Sequence, residues 1–261
     1  MKNILDTIVL EKRREVAVLK SRKSVTEWRC AAKDSALKPR GFKQALSNAR
    51  GIAVIAEVKK KSPSKGELVR NFNALRIARQ YEEAGATAIS VLTDASFFGG
   101  SLADLAQIRK SVRCPLLRKD FIIDETQIYE AVTAGADAVL LIAAILTHAE
   151  IRRLKDAADA LGLDALLEVH SLDDFKKLCG IRQALIGINN RDLTTFKVDL
   201  KTTVKLKKII PEQHFVVSES GIKTYNDLKK LQKLGVRAAL VGESLVTAPH
   251  PGVALKKLIR S

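Results

Sequence analysis

From residue 52 onward, short apolar and β-branched runs recur at 52–58, 87–92, 115–118, 137–142, 164–169, 184–188, 214–218 and 238–241. Segments of helical periodicity separate them: Ala74–Ala84, Leu102–Ser111, Glu125–Ala134, His148–Leu161, Leu172–Leu178, Leu200–Ile209 and Tyr225–Leu234. Gly85-Ala86, Gly135-Ala136 and Gly235-Val236 close helices just before the next strand, where glycine supplies a left-handed cap. Eight strands alternating with helices over about 200 residues predict an α/β fold, a parallel sheet closed into a (β/α)8 TIM barrel. An open doubly wound sheet would carry a Gly-x-Gly-x-x-Gly turn after its first strand, and none is present. Residues 1–50 are charged and helix-periodic. Ile4, Ile8, Leu10, Val16, Val18 and Leu19 mark a first helix, and a short second one covers about 42–49. The segment is too polar for a core of its own, so it is expected to be a helical N-terminal extension of a single barrel domain spanning 1–261.

Barrel chemistry sits at the C-terminal ends of the strands. The first run ends in Glu-Val-Lys-Lys-Lys-Ser-Pro-Ser at 57–64, and side chains alternate faces along a strand, so Glu57 and Lys59 leave the same face. The other ends bear Lys119-Asp120-Phe121, Glu168, Asn189-Asn190-Arg191, Glu219-Ser220-Gly221 and Gly242-Glu243-Ser244. Parity puts Lys119 on the face of Leu117, Glu168 on that of Leu166 and His170, and Glu219 on that of Val217. Ser220 then begins a loop, and Arg118 turns to the helix layer or solvent. Three carboxylates and two lysines in one mouth are costly to bury unless they pair or bind a ligand, so they read as a functional site. Ser220-Gly221 and Gly242-Glu243-Ser244 put a glycine where a backbone must come close, each before a helix. Loops seven and eight are the usual phosphate cradle of this fold. The Glu243 side chain is expected to point away from a phosphate there, leaving its N–H as donor.

The remaining composition narrows the class. A net charge of +16 suits either nucleic acid or an anionic metabolite. Aromatics are only 5% and the lysines scatter along helix faces, so the nucleic-acid reading is set aside. No apolar run approaches the roughly 20 residues of a membrane span. The N-terminus lacks the basic-then-apolar order of a secretion signal, which points to the cytoplasm. Cys30, Cys114 and Cys179 read as free, buried thiols, with neither disulfide nor zinc spacing. His170 lies near the mouth, but a structural role is favoured; His148, His214 and His250 receive none. Trp28 is expected to anchor the extension.

Several motifs in order along 54–245 resemble the indole-3-glycerol phosphate synthase family of tryptophan biosynthesis. They are Glu-Val-Lys-Lys-Lys-Ser-Pro-Ser (57–64), Ala-Ile-Ser-Val-Leu-Thr-Asp (88–94), Phe-Phe-Gly-Gly-Ser (97–101), Leu-Arg-Lys-Asp-Phe-Ile (117–122), Leu-Glu-Val-His (167–170), Ile-Asn-Asn-Arg-Asp-Leu (188–193), Ser-Glu-Ser-Gly-Ile (218–222) and Leu-Val-Gly-Glu-Ser-Leu (240–245). Departures are small: Asn71-Phe72-Asn73-Ala74 where relatives often show Asp-Phe-Asp-Pro, and Val246 where Met is frequent. The resemblance implies closure of 1-(2-carboxyphenylamino)-1-deoxyribulose 5-phosphate to an indole, with loss of carbon dioxide and water and no metal or cofactor. It implies Lys119 as general acid, and Glu168, with Lys59 as the second candidate, for the dehydration. Glu57, Asn189 and Glu219 would hold the acid, the base and the substrate hydroxyls. Ser220, Gly221, Gly242, Glu243 and Ser244 would take the phosphate, Ser62 and Arg191 (with Lys59) the carboxylate, and Phe98 and Phe121 the aromatic ring. Other enzymes of tryptophan biosynthesis are candidate partners. A phosphoribosyl isomerase, the nearest rival, would carry an Asp or Cys base where the first strand offers Glu and Lys. Carboxylates around Lys119 tighten its hold on a proton and desolvation loosens it, so the balance awaits the geometry.

Overall fold

The computed structural model describes residues 4–192 and 195–260. Eight parallel strands form a closed barrel in the order β1-β10-β9-β8-β7-β6-β5-β4. These are β1 (Ala53–Val58), β4 (Ala88–Leu92), β5 (Leu116–Lys119), β6 (Ala138–Ile142), β7 (Asp164–Val169), β8 (Leu185–Asn189), β9 (Phe215–Glu219) and β10 (Ala238–Val241). The helices between them are α4 (Ala74–Ala84), α5 (Leu102–Ser111), α6 (Glu125–Ala134), α7 (His148–Asp159), α8 (Leu172–Lys176), α9 (Lys201–Lys207) and α10 (Tyr225–Lys233). The (β/α)8 barrel expected from the chain is therefore present, with boundaries shifted by one or two residues at several ends. Gly85 and Gly135 cap α4 and α6 at φ 96° and 86°, a conformation glycine adopts without steric cost.

Four further features had no counterpart in the periodicity. Helix α2 (Val25–Lys33) starts on a capping box in which Ser24 and Glu27 satisfy each other's backbone N–H. A two-stranded hairpin, β2 (Lys61–Ser62) with β3 (Gly66–Glu67), follows β1. Helices α11 (Glu243–Val246) and α12 (Pro251–Arg260) follow β10. Among the described residues no helix is long and apolar enough to cross a membrane.

Inward-facing positions of the strands, among them Ile55, Leu117, Leu140, Leu166, Phe215, Val217 and Leu240, fill the barrel. Their outward neighbours, such as Val54, Val91, Leu141, Leu167, Ile186 and Val216, pack against the helices. The extension closes both ends of this inner core. At one end α3 (Phe42–Ser47) buries Phe42 and Leu46. Asp137 and Asp164, at the starts of β6 and β7, accept from the backbone N–H of Arg40 and Lys43. At the other end α1 (Ile4–Arg22) buries Leu5 and Ile8. The buried stripe of α1 is Leu5, Ile8, Lys12, Val16 and Leu19, whereas Leu10 and Val18 are exposed, a correction to the apolar face read from the chain. Trp28 packs partly buried against the outer core, and its indole N–H donates to Leu19. The cysteines are free, but Cys30 and Cys179 are exposed and Cys114 is half-buried, so they are not the buried thiols expected. Cys30 lies on an exposed face of α2 and Cys179 in the turn after α8, whereas Cys114 lies in the bend before β5, where its thiol donates to the Ala86 carbonyl.

Candidate active site

The inward face of the barrel continues past its apolar layers into polar ones. Residues two apart on one strand share a face. Ile55 therefore leads to Glu57 and Lys59, Leu117 to Lys119, Leu166 to Glu168, Leu185 to Gly187 and Asn189, and Val217 to Glu219. Glu57, Lys59, Lys119, Glu168, Asn189 and Glu219 line one cavity of about 930 Å³ at the C-terminal mouth, whose floor includes Leu140, Ile142 and Leu240. The cavity size suits a small organic ligand.

Lys119 is the hub. Its ammonium stands 2.7 Å from Glu168 Oε2 and 3.0 Å from Glu219 Oε2. Burial works against its charge, but Glu168, Glu219 and Glu57 outweigh burial and hold it well above the ordinary lysine range. The balance left open by the sequence thus falls to the carboxylates. Glu219 responds the other way. Burial, with the charges of Glu168 and Glu57, raises it to about 7 against the pull of Lys119. Its Oε1 is buried with no hydrogen-bond partner. Lys59 pairs with Glu57 at 2.6 Å. Asn189 donates to Glu168 Oε1 at 3.2 Å and accepts from the Arg191 N–H at 3.0 Å, so one amide orients the carboxylate and the next loop.

Two glycines make room for the carboxylates. A Cβ on Gly187 would stand 2.0 Å from Glu219 Oε1, and one on Gly242 would stand 2.3 Å from Glu57 Oε1. Neither contact is tolerable, so each glycine is a recess for the acid on a neighbouring strand.

Loops after β9 and β10 form the opposite wall. Ser220 and Gly221 both have positive φ, 65° and 83°. They form a tight loop three residues before α10 begins, rather than lying at the helix start as expected. Gly242 immediately precedes α11, and Ser244 Oγ donates to the Ile222 carbonyl, tying the two loops together. The Glu243 carboxylate lines the cavity, contrary to expectation, where Lys65 and Arg191 neutralise it. Ser62, Phe98 and Phe121 complete the lining, with the rings 6.0 Å apart, and Ser62 Oγ is buried with no hydrogen-bond partner. Arg118 is buried in the helix layer against Asp120 and Glu130, as parity required. His170 donates its Nδ1–H to the Asn189 carbonyl and does not line the cavity.

The family model described as indole-3-glycerol phosphate synthase matches residues 5–258. The chain belongs to the indole-3-glycerol phosphate synthase family. Proteins of that name from Desulfotalea psychrophila and Koribacter versatilis are 46% and 44% identical to it. The first match covers all of both chains; the second covers 99% of this chain and all of the other. Solved structures share the fold at low identity. A 3-hexulose-6-phosphate synthase from Salmonella typhimurium gives a TM-score of 0.63 at 14% identity, covering 80% of this chain and 97% of that one. A tryptophan synthase alpha chain from Legionella pneumophila gives 0.60 at 16%, covering 84% and 95%.

In this member of the family the residues singled out at the strand ends line the cavity, with the exception of Asn190. The last residue of the 188–193 motif, Leu193, lies outside the described residues. What the chain alone did not reveal is the layer behind. Asn190 donates to the carbonyls of Glu219 and Ser220 and accepts from Thr203, fixing the loop that carries both. Gly187, Asp94, Asp120 and Lys12 also belong to this layer. Lys12 had a legible signal, since it stands four residues from both Ile8 and Val16 on the apolar stripe of α1.

Proposed function

We propose that the protein is an indole-3-glycerol phosphate synthase that acts as one unit over residues 1–261. Its proposed substrate is 1-(2-carboxyphenylamino)-1-deoxyribulose 5-phosphate. The observation that carries the reading is Lys119, buried and cationic between Glu168 and Glu219 on the floor of the cavity.

In the proposed reaction the ring carbon bearing the carboxylate attacks the ketone carbon. A carbon–carbon bond forms, and the carbonyl π pair moves to oxygen, which takes a proton from Lys119. A lysine held above its ordinary range still protonates such an oxygen, because an alkoxide is more basic. Carbon dioxide then leaves and returns its bonding pair to the ring. In the dehydration the hydroxyl departs as water, with one proton given to it and one removed from the neighbouring methylene. Glu168 and Lys59 are assigned these two transfers. Glu57, Asn189 and Glu219 hold the acid, the base and the substrate hydroxyls. Ser220 to Gly221 and Gly242 to Ser244 offer backbone N–H groups to the phosphate. Ser62, with its unpartnered hydroxyl, and Arg191 take the carboxylate, and Phe98 and Phe121 flank the ring. Metal is not required, and the compartment is the cytoplasm.

The test is the fluorescence of the indole product from purified protein in EDTA. Turnover is expected to vanish in Lys119→Ala and Glu168→Gln. Lys119→Arg keeps the charge but donates a proton poorly, and a general acid contributes about 10²–10⁴-fold. Near-full turnover by the Arg variant would overturn the acid role, and binding without turnover in the wild type would point to a phosphate barrel of other specificity.

A further inference from the structure

The Lys12 side chain is 1% exposed, and its ammonium makes three contacts outside its own backbone. It lies 2.8 Å from Asp94 Oδ2, 2.9 Å from Asp120 Oδ1 and 2.8 Å from Glu15 Oε2. The contact with Glu15 is a hydrogen bond, and those with Asp94 and Asp120 are ion pairs. Both aspartates are buried, and each grips a loop of the mouth. Asp94 Oδ1 accepts from the backbone N–H groups of Phe97 and Phe98 at 2.7 and 3.0 Å. Asp120 Oδ1 accepts from the Phe121 N–H at 2.9 Å, and its Oδ2 accepts from Thr93 Oγ1 at 2.6 Å and Arg118 Nη2 at 3.2 Å. One ammonium from the extension therefore joins the backbone hooks of both aromatic walls, one residue away from Lys119.

The geometry points to Lys12 as a positioning residue for aromatic-ring binding. It holds Asp94 and Asp120 together and thereby sets the gap between Phe98 and Phe121. Arg118 and Thr93 tie Asp120 to the end of β4 but do not reach the Asp94 carboxylate, so the bridge between the two carboxylates themselves is Lys12. Glu15 is half-buried and adds charge without reaching either loop. Removing the ammonium leaves two buried carboxylates facing each other, and repulsion would drive the two loops apart. The inference rests on the reading of this cavity as the place where an anthranilate ring lies.

A plain anchoring role for Lys12 is the rival, and Lys20 supplies the control. Lys20 also ties α1 to the barrel, through Asp124 at 2.7 Å, but Asp124 caps α6 at the far end of the Phe121 loop, and Lys20 pairs with neither Asp94 nor Asp120. The experiment compares Lys12→Met, Lys12→Arg, Lys20→Met and Asp94→Asn with the full-length wild type. Amide hydrogen exchange at Phe97, Phe98 and Phe121 is read first, because it needs no substrate. Exchange is expected to speed up at least tenfold in Lys12→Met and to stay at the wild-type rate in Lys20→Met. With substrate, KM is expected to rise about tenfold in Lys12→Met while kcat changes less than threefold, and Lys12→Arg should recover most of the loss. The anthranilate fluorescence anisotropy of a bound, reduced substrate analogue should fall in parallel. If Lys12→Met does not fold, Asp94→Asn carries the same readouts. Unchanged exchange in Lys12→Met, or equal effects in Lys20→Met, would overturn the proposal. Faster exchange in Lys12→Met beside a wild type that shows no turnover would instead count against the assigned reaction alone.

Discussion

Gly187 faces the barrel interior between the register partners Glu168 on β7 and Val217 on β9. Placing alanine there sets a Cβ 2.0 Å from Glu219 Oε1, where contacts under 3.0 Å essentially never occur. The carboxylate must retreat by about 1 Å, and its other oxygen now sits 3.0 Å from Lys119. Losing a hydrogen bond to a charged group costs about 1.5–3 kcal/mol. A misplacement of about 1 Å in a site costs on the order of 10²-fold. We expect Gly187→Ala to lower kcat/KM by about ten- to a hundredfold in the indole fluorescence assay. Stability should hold, since Gly187 lacks a positive φ and replacing a strand glycine recovers about 0.5–1 kcal/mol. The nearest other atom, Leu166 Cδ1 at 3.3 Å, can shift by a few tenths of an ångström. Shortening the acid in Gly187→Ala/Glu219→Asp should restore part of the rate. A Gly187→Ala enzyme within threefold of wild type would refute the recess argument, as would a loss fully explained by a lowered urea midpoint.

Two other outcomes follow from the same geometry. Glu219 is raised to about 7, so kcat/KM should fall below that pH as the group takes a proton, and the limb should vanish in Glu219→Gln. Its folded-state pKa exceeds the unfolded one, so the folded state binds more protons between about pH 4.5 and 7 and the penalty for its charge is complete above 7. The stability of Glu219→Gln relative to wild type should therefore grow from pH 5 to pH 8 in urea titrations, and a constant difference would contradict the assignment. At the far end of the barrel, buried Asp137 accepts from Arg40 N–H, Leu116 N–H and Arg109 Nη1. Asp137→Ala strands the Arg109 guanidinium and should cost about 3–5 kcal/mol by urea unfolding at pH 7, with kcat of the folded fraction unchanged; a loss under about 1 kcal/mol would contradict it.

The barrel was legible because parallel strands buried on both faces spell continuous apolar runs, and because charged residues end them at one side. Alternation along a strand then sorted Lys119 from Arg118 without any coordinates. What stayed hidden depends on contacts between distant segments. Gly187 reads as a weak spot in a strand until Glu219 is seen lying over it. Glu243 reads as an unwelcome charge at a phosphate loop until Lys65 and Arg191 arrive from two other loops. The hairpin β2–β3 is too short for any periodicity to register. Helix α2 is a different kind of omission, since Ser24 and Glu27 already spelled its capping box.

The extension is made first and secured late. Arg40 and Lys43 wait for partners 97 and 121 residues downstream, and Lys20 for one 104 residues away. At synthesis rates of about 5–20 residues per second, the delay from Lys43 to Asp164 alone is about 6–24 s. During that interval Leu5, Ile8, Val16 and Leu19 have no barrel to cover them. Pairings so distant in sequence slow folding, because loop closure must precede any reward. The nascent chain is therefore most vulnerable to aggregation at the segment that finally seals both ends, and chaperone dependence should track the apolarity of α1 more closely than that of any strand.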